Sequence, residues 1–416
     1  MKMKESQFLL IKEQLKKLTG KECFYKHKLE GINVDQIQSQ EDFEKLPFTW
    51  KGDLREAYPL GLMAEPEDKI VRIHSSSGTT GTPVIIPYTQ QDVDDWALMF
   101  ARCYEMAGIT NMDRIQITPG YGLWTAGIGF QLGAERLGAM AIPMGPGNTD
   151  KQLQMMQDLK STVITATSSY ALLLAEEISK RELRDKIHLR KGVIGSERWG
   201  EKMRNRIQNE LGIEIYDIYG LTETSGPGVA FECSEQTGMH INEDHFIAEI
   251  IDPDTGEVLP EGSKGELVFT SITKEAFPLL RYRTRDICIL TRKPCSCGRT
   301  HVKMSKPMGR SDDMLIVKGV NVFPSQIETV LLEQGYPANY QIIVDRVNNS
   351  DTLEVMVEMT PENFSDSLGK ITDMEKSLVA ALKAMLGIYA RVRLVAPKTI
   401  TRSEGKAVRI IDKRKI

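Results

Sequence analysis

Between about residues 70 and 230, short apolar runs alternate with longer amphipathic stretches. IQIT (115–118), AMAIPM (139–144), VITAT (163–167) and GVIG (192–195) have the length of buried strands. DVDDWALMFARCYEMAG, DKQLQMMQDLK and YALLLAEEISKRELRDK, which lie between them, carry apolar residues at helical spacing. This alternation predicts an α/β fold on a mostly parallel sheet. The first 70 residues read as two or three short helices joined by turns, with a loop-rich passage at LPFTWKGDLREAYPLG. From about 245 the texture changes. HFIAEIIDPDTGEVLPEGSKGELVFTSI predicts two strands about a turn-rich loop, and RYRTRDICILTRK another strand pair, together a β-rich subdomain of barrel-like or meander character. After GRSDD (309–313) the order is strand, helix, two strands, helix, strand, the length of a compact α+β domain. The predicted domains are therefore 1–308 and 309–416. The closing TRSEGKAVRIIDKRKI is basic and glycine-containing and predicts a mobile tail or loop.

The 416 residues are enough for two or three domains. Hydrophobic residues at 41% and charged residues at 26% match a globular enzyme. A net charge of −4 without long single-sign blocks argues against a nucleic-acid or acidic-membrane partner. No apolar stretch is long enough to span a bilayer. The N-terminal FLLI is followed at once by charges, which predicts an amphipathic helix rather than a signal peptide and a cytoplasmic location. Six cysteines are too few for a disulfide scaffold, so the close pair Cys295 and Cys297 asks for another explanation.

His74–Pro83, HSSSGTTGTP, is the most informative stretch. Its glycines let the backbone approach a ligand closely, and successive N–H groups in such a loop form an anion-binding concavity. Hydroxyls add donors to phosphate oxygens. The lysine of a Walker loop is missing. A flexible linker is the alternative, but IVRIH and VIIPYT on either side read as strands, and a linker rarely joins two core strands.

SSSGTTGTP resembles the phosphate-binding loop of the adenylate-forming superfamily, which comprises acyl-CoA synthetases, peptide-synthetase adenylation domains and luciferases. Four further stretches resemble the superfamily's motifs in the same order: YGLTET (219–224), RYRTRD (281–286), GRSDDMLIVKGVNVFPSQIE (309–328) and RSEGKAVRI (402–410). GYGLWTAG, GAERLGA, YDIYG, GPGVAFEC, EDHF, GELVFTS and RYRTRD are similar to the phenylacetate–CoA ligase family in particular. The resemblance implies a large N-terminal domain that binds ATP and an acid, with a small mobile C-terminal lid.

It also implies roles. Ser75, Ser76, Ser77, Gly78, Thr79, Thr80 and Gly81 hold the phosphates, and Arg310 belongs to the nucleotide site. Glu223, beside Thr222, sits on the Mg²⁺ of ATP, where a hard cation wants carboxylate oxygen. Tyr219 and Gly220 lie against the adenine, with Gly195, Ser196 and Glu197 as the opposite wall. Arg198 stands where the family commonly has proline. Asp286 accepts the ribose hydroxyls. Arg285 replaces the glycine usual in the superfamily, a substitution typical of this branch. Asp312 is the hinge. Lys406, in a Ser-Glu-Gly-Lys turn, is the catalytic lysine that offsets charge at the α-phosphate. Bland alternatives are a cap or surface pair for Glu223, an Arg–Asp surface pair for Asp286 and a solvated tail lysine for Lys406.

Tyr121, Gly122 and Trp124 in GYGLWTAGIGF combine aromatics with small residues and form the candidate acid pocket, with simple core packing as the alternative. The family more usually has phenylalanine at Trp124. Cys233, His240, Cys295 and Cys297 have the donor types of a structural zinc site. Some members of the branch carry such a site, and the resemblance implies it here. His245 and His301 are alternative ligands, and reduced unliganded thiols the alternative to any metal.

The sequence thus predicts an ATP-dependent aryl-acid CoA ligase. A carboxylic acid, ATP with Mg²⁺ and coenzyme A would be its small-molecule partners, zinc a structural ion, and a homodimer its assembly. Its rivals are an adenylate-forming enzyme with another acceptor, such as a carrier protein or an adenylated cofactor, and a nucleotide-binding regulator with a decayed site.

Overall fold

A computed structural model describes residues 3–76, 82–196, 201–311, 315–336, 340–348, 350–359, 368–397, 399–400 and 410–414. The chain falls into two compact units, the first running to Ser311.

The first unit opens with four helices: α1 (Glu5–Gly20), α2 (Phe24–Lys28), α3 (Gln40–Phe43) and α4 (Lys51–Glu56). A separate antiparallel hairpin follows, β1 (Arg72–Ser75) against β2 (Ile85–Tyr88), with the phosphate-loop sequence between its strands. Then comes the predicted alternation: α5 (Gln90–Met106), β3 (Arg114–Ile117), α6 (Ala126–Leu137), β4 (Met140–Pro143), α7 (Thr149–Asp158), β5 (Val163–Thr167), α8 (Ser168–Lys180), β6 (Lys191–Gly195), α9 (Glu201–Leu211) and β7 (Glu214–Leu221). Strands β3 to β7 are parallel, in the order β7-β6-β5-β3-β4, and helices make the crossovers.

Antiparallel strands continue the same sheet. These are β8 (Gly226–Glu232), β9 (Met239–Ile241), β10 (Phe246–Ile251), β11 (Lys264–Ser271), β12 (Tyr282–Thr291), β13 (Lys303–Met304) and β14 (Gly309–Arg310). The β-rich passage is therefore joined to the parallel half, through the short pairing of β9 with β13. β14 pairs with β12 and belongs to the first unit.

Helix α6 is absent from the sequence-based pattern because glycines interrupt its apolar stripe. A Cβ on Gly129 would lie 2.6 Å from Trp96, and one on Gly133 would lie 2.4 Å from Phe100, so these glycines let α6 press against α5.

The second unit holds β15 (Leu315–Val317), β16 (Val320–Val322), α10 (Pro324–Glu333), β17 (Tyr340–Val347), β18 (Ser350–Glu358), α11 (Leu368–Leu386), β19 (Arg391–Val395) and β20 (Ile410–Asp412). Its sheet runs β19-β18-β17-β20 over a core that includes Ile327, Leu331, Val355 and Leu382. The expectation of a mobile tail is corrected for the chain end. Ile410–Asp412 pairs in parallel with β17, and Arg414 donates to Asp351 Oδ2 at 2.9 Å and to the Ile316 carbonyl at 2.7 Å. The apolar pair Ile410–Ile411 supplies the strand that the basic composition concealed.

Candidate active site

The site of the first unit forms where β7 ends. Tyr219 is buried, and its hydroxyl donates to Asp286 Oδ2 at 2.6 Å. Arg310 on β14 donates to the other oxygen, Oδ1, at 3.0 Å. Asp286 on β12 is itself buried. Burial, reinforced by the neighbouring Asp286 charge, keeps the Tyr219 phenol protonated and thus a donor. Residues 67 positions apart are joined because β14 pairs Arg310 with Asp286 and β7 ends beside them.

One residue beyond the strand, Thr222–Thr224 forms a single 3₁₀ turn, and the Ser225 N–H closes it on the Thr222 carbonyl at 3.2 Å. Glu223 is 3% exposed, which removes the surface-pair alternative. Burial works to raise its carboxyl, but the Lys51 ammonium 3.0 Å away and the charge of Arg310 outweigh that and hold it below the usual range. Glu223 is therefore an ionised carboxylate inside the protein, the chemistry a hard cation needs. Gly220 pairs with Pro227 of β8, and a Cβ on it would fall 1.9 Å from the Gly226 carbonyl oxygen, so only glycine permits this close approach.

Lys51 carries no motif signal. It reaches Glu223 because Thr49 lies beside β12: its N–H donates to the Arg281 carbonyl at 3.1 Å and its carbonyl accepts from Arg283 at 3.0 Å. Trp50 then packs between the guanidinium groups of Arg283 and Arg285, at 4.3 and 4.4 Å. A lysine following an aromatic in a loop-rich passage was the available hint, and it does not name a partner.

The flanks of the candidate phosphate loop are tied to the candidate acid-pocket loop. The Ser75 N–H donates to the Leu123 carbonyl at 2.9 Å, and His74 Nδ1 stands 3.2 Å from the same oxygen. A carbonyl only accepts, so the proton sits on Nδ1. Burial pulls His74 down to about 4, so the ring is neutral. Ser76 closes the loop's neck, donating from its N–H to the Val84 carbonyl and accepting from Val84 N–H at its Oγ, both at 3.0 Å. Gly122 has φ +88°, and Trp124 folds back toward Gly120 while remaining 37% exposed, unlike a core residue. Tyr121 is half-buried with its hydroxyl inside the protein. Gly195 ends β6 against Ile218, and Ser196 takes φ +67°. Ser77, Gly78, Thr79, Thr80, Gly81, Glu197, Asp312 and Lys406 lie outside the described residues.

A second constellation lies at the seam of the sheet. The donor atoms of Cys233, His240, Cys295 and Cys297 all fall within 4.8 Å of one another. Cys233 and Cys295 sulfurs are 3.7 Å apart, too far for a disulfide, and Cys297 Sγ is 3.4 Å from His240 Nε2. A tetrahedron with Zn–S of about 2.3 Å and Zn–N of about 2.0 Å has edges of roughly 3.8 and 3.5 Å, so this donor set fits a zinc ion. Burial pulls His240 down to about 4, leaving a neutral imidazole able to ligate. The alternative ligands stand apart from the cluster. His245 Nδ1 is engaged with Thr273 Oγ1 at 2.8 Å, and the His301 ring lies 6.3 Å from that of His240.

Known proteins resemble this chain along nearly its whole length. The family model described as AMP-binding enzyme matches residues 5–273, and the one described as AMP-binding enzyme C-terminal domain matches 319–414. The chain is 46% identical to a phenylacetate–coenzyme A ligase of Pseudomonas putida over 92% of this chain and 88% of that one. It is 42% identical to that of Thermus thermophilus over 98% and 96%. Among solved structures, 2-hydroxyisobutyryl-CoA ligase in complex with 2-HIB-AMP and CoA superimposes with a TM-score of 0.90 at 28% identity, over 99% of this chain and 90% of that one.

Proposed function

Because this chain belongs to the AMP-binding enzyme family, in its phenylacetate–coenzyme A ligase branch, we infer that it is an AMP-forming acid–coenzyme A ligase acting on an aryl acid through an acyl-adenylate. The observation that carries the reading at residue level is the pair of buried carboxylates at the end of β7. Asp286, oriented by Tyr219 and Arg310, accepts the ribose hydroxyls, and Glu223 faces the phosphates. The loop from Ser75 to Gly81 holds the phosphates, with Ser75 and Ser76, whose N–H groups are engaged by Leu123 and Val84, fixing its neck. Gly195, Ser196, Glu197, Tyr219 and Gly220 form the adenine slot.

Glu223 would hold the magnesium ion that accompanies ATP, and that ion neutralises phosphate charge when bound. The acid lies along Tyr121, Gly122 and Trp124. Its carboxylate oxygen attacks the α-phosphorus, the bond to the bridging oxygen breaks, and pyrophosphate leaves with the electron pair. The Lys406 ammonium offsets the charge that develops there. Rotation of the lid, the chain beyond β14, about Asp312 then withdraws Lys406 and brings up a pantetheine channel at the β15–β16 turn. The thiol, losing its proton, attacks the acyl carbon, and AMP leaves. A thiol does not attack a free carboxylate at a useful rate, which is why the acid is first converted to a mixed anhydride.

Cys233, His240, Cys295 and Cys297 hold a structural zinc. A four-coordinate site would cross-link the loops about β9 and β13, whose pairing is only Lys303 with His240 and Met304 with Met239.

Pyrophosphate release over a panel of aryl and short acyl acids, with acyl-CoA read by mass spectrometry, tests the activity. Lys406→Ala tests the mechanism. Adenylate formation should slow by about a hundredfold or more, since each 1.4 kcal/mol is about tenfold. The same variant given preformed acyl-adenylate and coenzyme A should form thioester at a near-normal rate. Equal depression of both steps would make the lysine structural and sink the two-state lid.

A further inference from the structure

Lys274 lies between β11 and β12 and belongs to none of the motifs. It is 7% exposed, and among the described residues its ammonium meets a hydroxyl and a ring rather than a carboxylate. Nζ donates to Ser225 Oγ at 2.9 Å and stands 3.5 Å from the centre of the Tyr88 ring. The nearby Asp92 carboxylate is spent on backbone: Oδ1 accepts from Glu275 N–H at 2.7 Å, and Oδ2 from Ala276 N–H and Thr89 N–H, both at 3.0 Å. A buried ammonium without a carboxylate partner is costly, and an apolar side chain of similar size would fill the space at less expense. Two contacts give the position a purpose. Ser225 has φ +79° and closes the Thr222–Thr224 turn. Tyr88 ends β2, the strand that leaves the phosphate loop. Its ring packs edge-on against His74 of β1 at 5.3 Å and stacks on Trp96 at 5.6 Å.

We propose that Lys274 is a positioning residue for adenylation, its ammonium fastening the turn that carries Glu223 to the hairpin that carries the phosphate loop. The inference rests on reading Glu223 as the carboxylate at the ATP phosphates. Lys274 acts through its neighbours and touches no substrate. The groups facing the cluster are Tyr88, His74 and Arg72 from the hairpin, Asp92 and Asp95 from α5, and Ser225 and Glu223 from the turn. Burial pushes the Tyr88 phenol up and His74 down to about 4, so neither changes charge near neutral pH. Burial lowers Lys274 to about 8, against the opposing pull of Asp92 and Asp95. The ammonium is thus present below about that value and lost as the pH rises through it.

The test is acid-dependent exchange of pyrophosphate into ATP, without coenzyme A, between about pH 6.5 and 9.5, for the wild type, Lys274→Arg, Lys274→Met and Ser225→Ala. Wild-type exchange should fall above about pH 8. The guanidinium of Lys274→Arg stays charged and should carry activity at least about one pH unit further. Lys274→Met should exchange about tenfold more slowly at pH 7 with a flattened alkaline limb, an expectation of the size seen when one hydrogen bond to a charged group is lost. Ser225→Ala keeps the charge and removes its acceptor. It should reproduce most of the methionine variant's loss, and it serves if that variant does not fold. An unchanged alkaline limb in Lys274→Arg, or wild-type exchange by Ser225→Ala, overturns the proposal. Wild-type protein that exchanges pyrophosphate with no acid would instead overturn the ligase reading, and this inference with it.

Discussion

Two sets of buried charges flank the same strand, and they are built differently. At the start of β12 and just before it, Arg281 and Arg283 are closed systems. Arg281 gives Nε and Nη2 to Glu249 at 3.2 and 2.9 Å and Nη1 to the Leu46 carbonyl at 2.7 Å, with its Cζ 4.1 Å from the centre of the Phe48 ring. Arg283 gives Nε and Nη2 to Glu266 at 2.9 and 2.6 Å and Nη2 also to the Pro253 carbonyl at 2.7 Å. At the turn after β7, the Glu223 carboxylate is held in a looser way. Glu223 faces an ammonium on a flexible stem that is 31% exposed, a partner that water or a ligand can reach. Forked arginine pairs fix geometry for its own sake, whereas a lysine on a buried carboxylate can be exchanged for another cation. The first set is closed on itself and the second is left open to exchange.

The largest effect should come from breaking the closed set. Arg283→Met removes the forked partner of the buried Glu266 and leaves it Arg285 at 3.6 Å and the Ser311 hydroxyl at 3.0 Å, and should cost about 3 kcal/mol of stability in chemical denaturation. Activity per folded molecule should fall far less than stability, since Arg283 reaches the site only through Trp50 beside Lys51. Loss of activity without loss of stability would erase the distinction between the two sets. Glu223→Gln should do the opposite. Removing one preorganised charge at the phosphates should cost about 3 kcal/mol of transition-state stabilisation, or roughly a hundredfold in adenylation, with an unaltered melting temperature. Thermal scans and single-turnover pyrophosphate release on both variants decide the matter.

At the seam of the sheet, purified protein should contain about one zinc per chain by elemental analysis. Cys295→Ser combined with Cys297→Ser should lose the metal and about 2 kcal/mol of stability while retaining adenylation. Metal-free protein of wild-type stability would show that the four donors are merely neighbours. The smallest effect belongs to Trp124→Ala, which should alter the preference among acids by about tenfold, or 1–3 kcal/mol, and leave the KM for ATP alone. Equal losses for all acids together with ATP binding would return Trp124 to the role of a packing residue.

How far the sequence could be read follows from where each determinant lies. The parallel half was legible because β3, β5 and β6 are contiguous apolar runs and α5 and α8 show helical periodicity. Tyr219, Glu223 and Asp286 were singled out by the resemblance of short motifs, and the structure buries all three; the donor types of Cys233, His240, Cys295 and Cys297 are chemically distinctive, and the fold brings them together. Helix α6 was hidden because its glycines serve contact with Trp96 and Phe100 rather than its own periodicity. Strand β20 was hidden because three residues in a basic tail have no pattern until β17 is beside them.

Tertiary structure alone decided the pairings. Lys51 and Lys274 are single lysines in unremarkable contexts. One meets Glu223 because Thr49 is laid along β12, and the other meets Ser225 and Tyr88 because the segment before β12 crosses behind the turn. The physical reason is range. Propensity, capping and motif chemistry act over a few residues and are written in the local sequence. The partner of a buried charge is chosen by sheet order and register, which bring together atoms from 49 to 186 residues apart, as for Lys274 with Ser225 and Thr89 with Glu275.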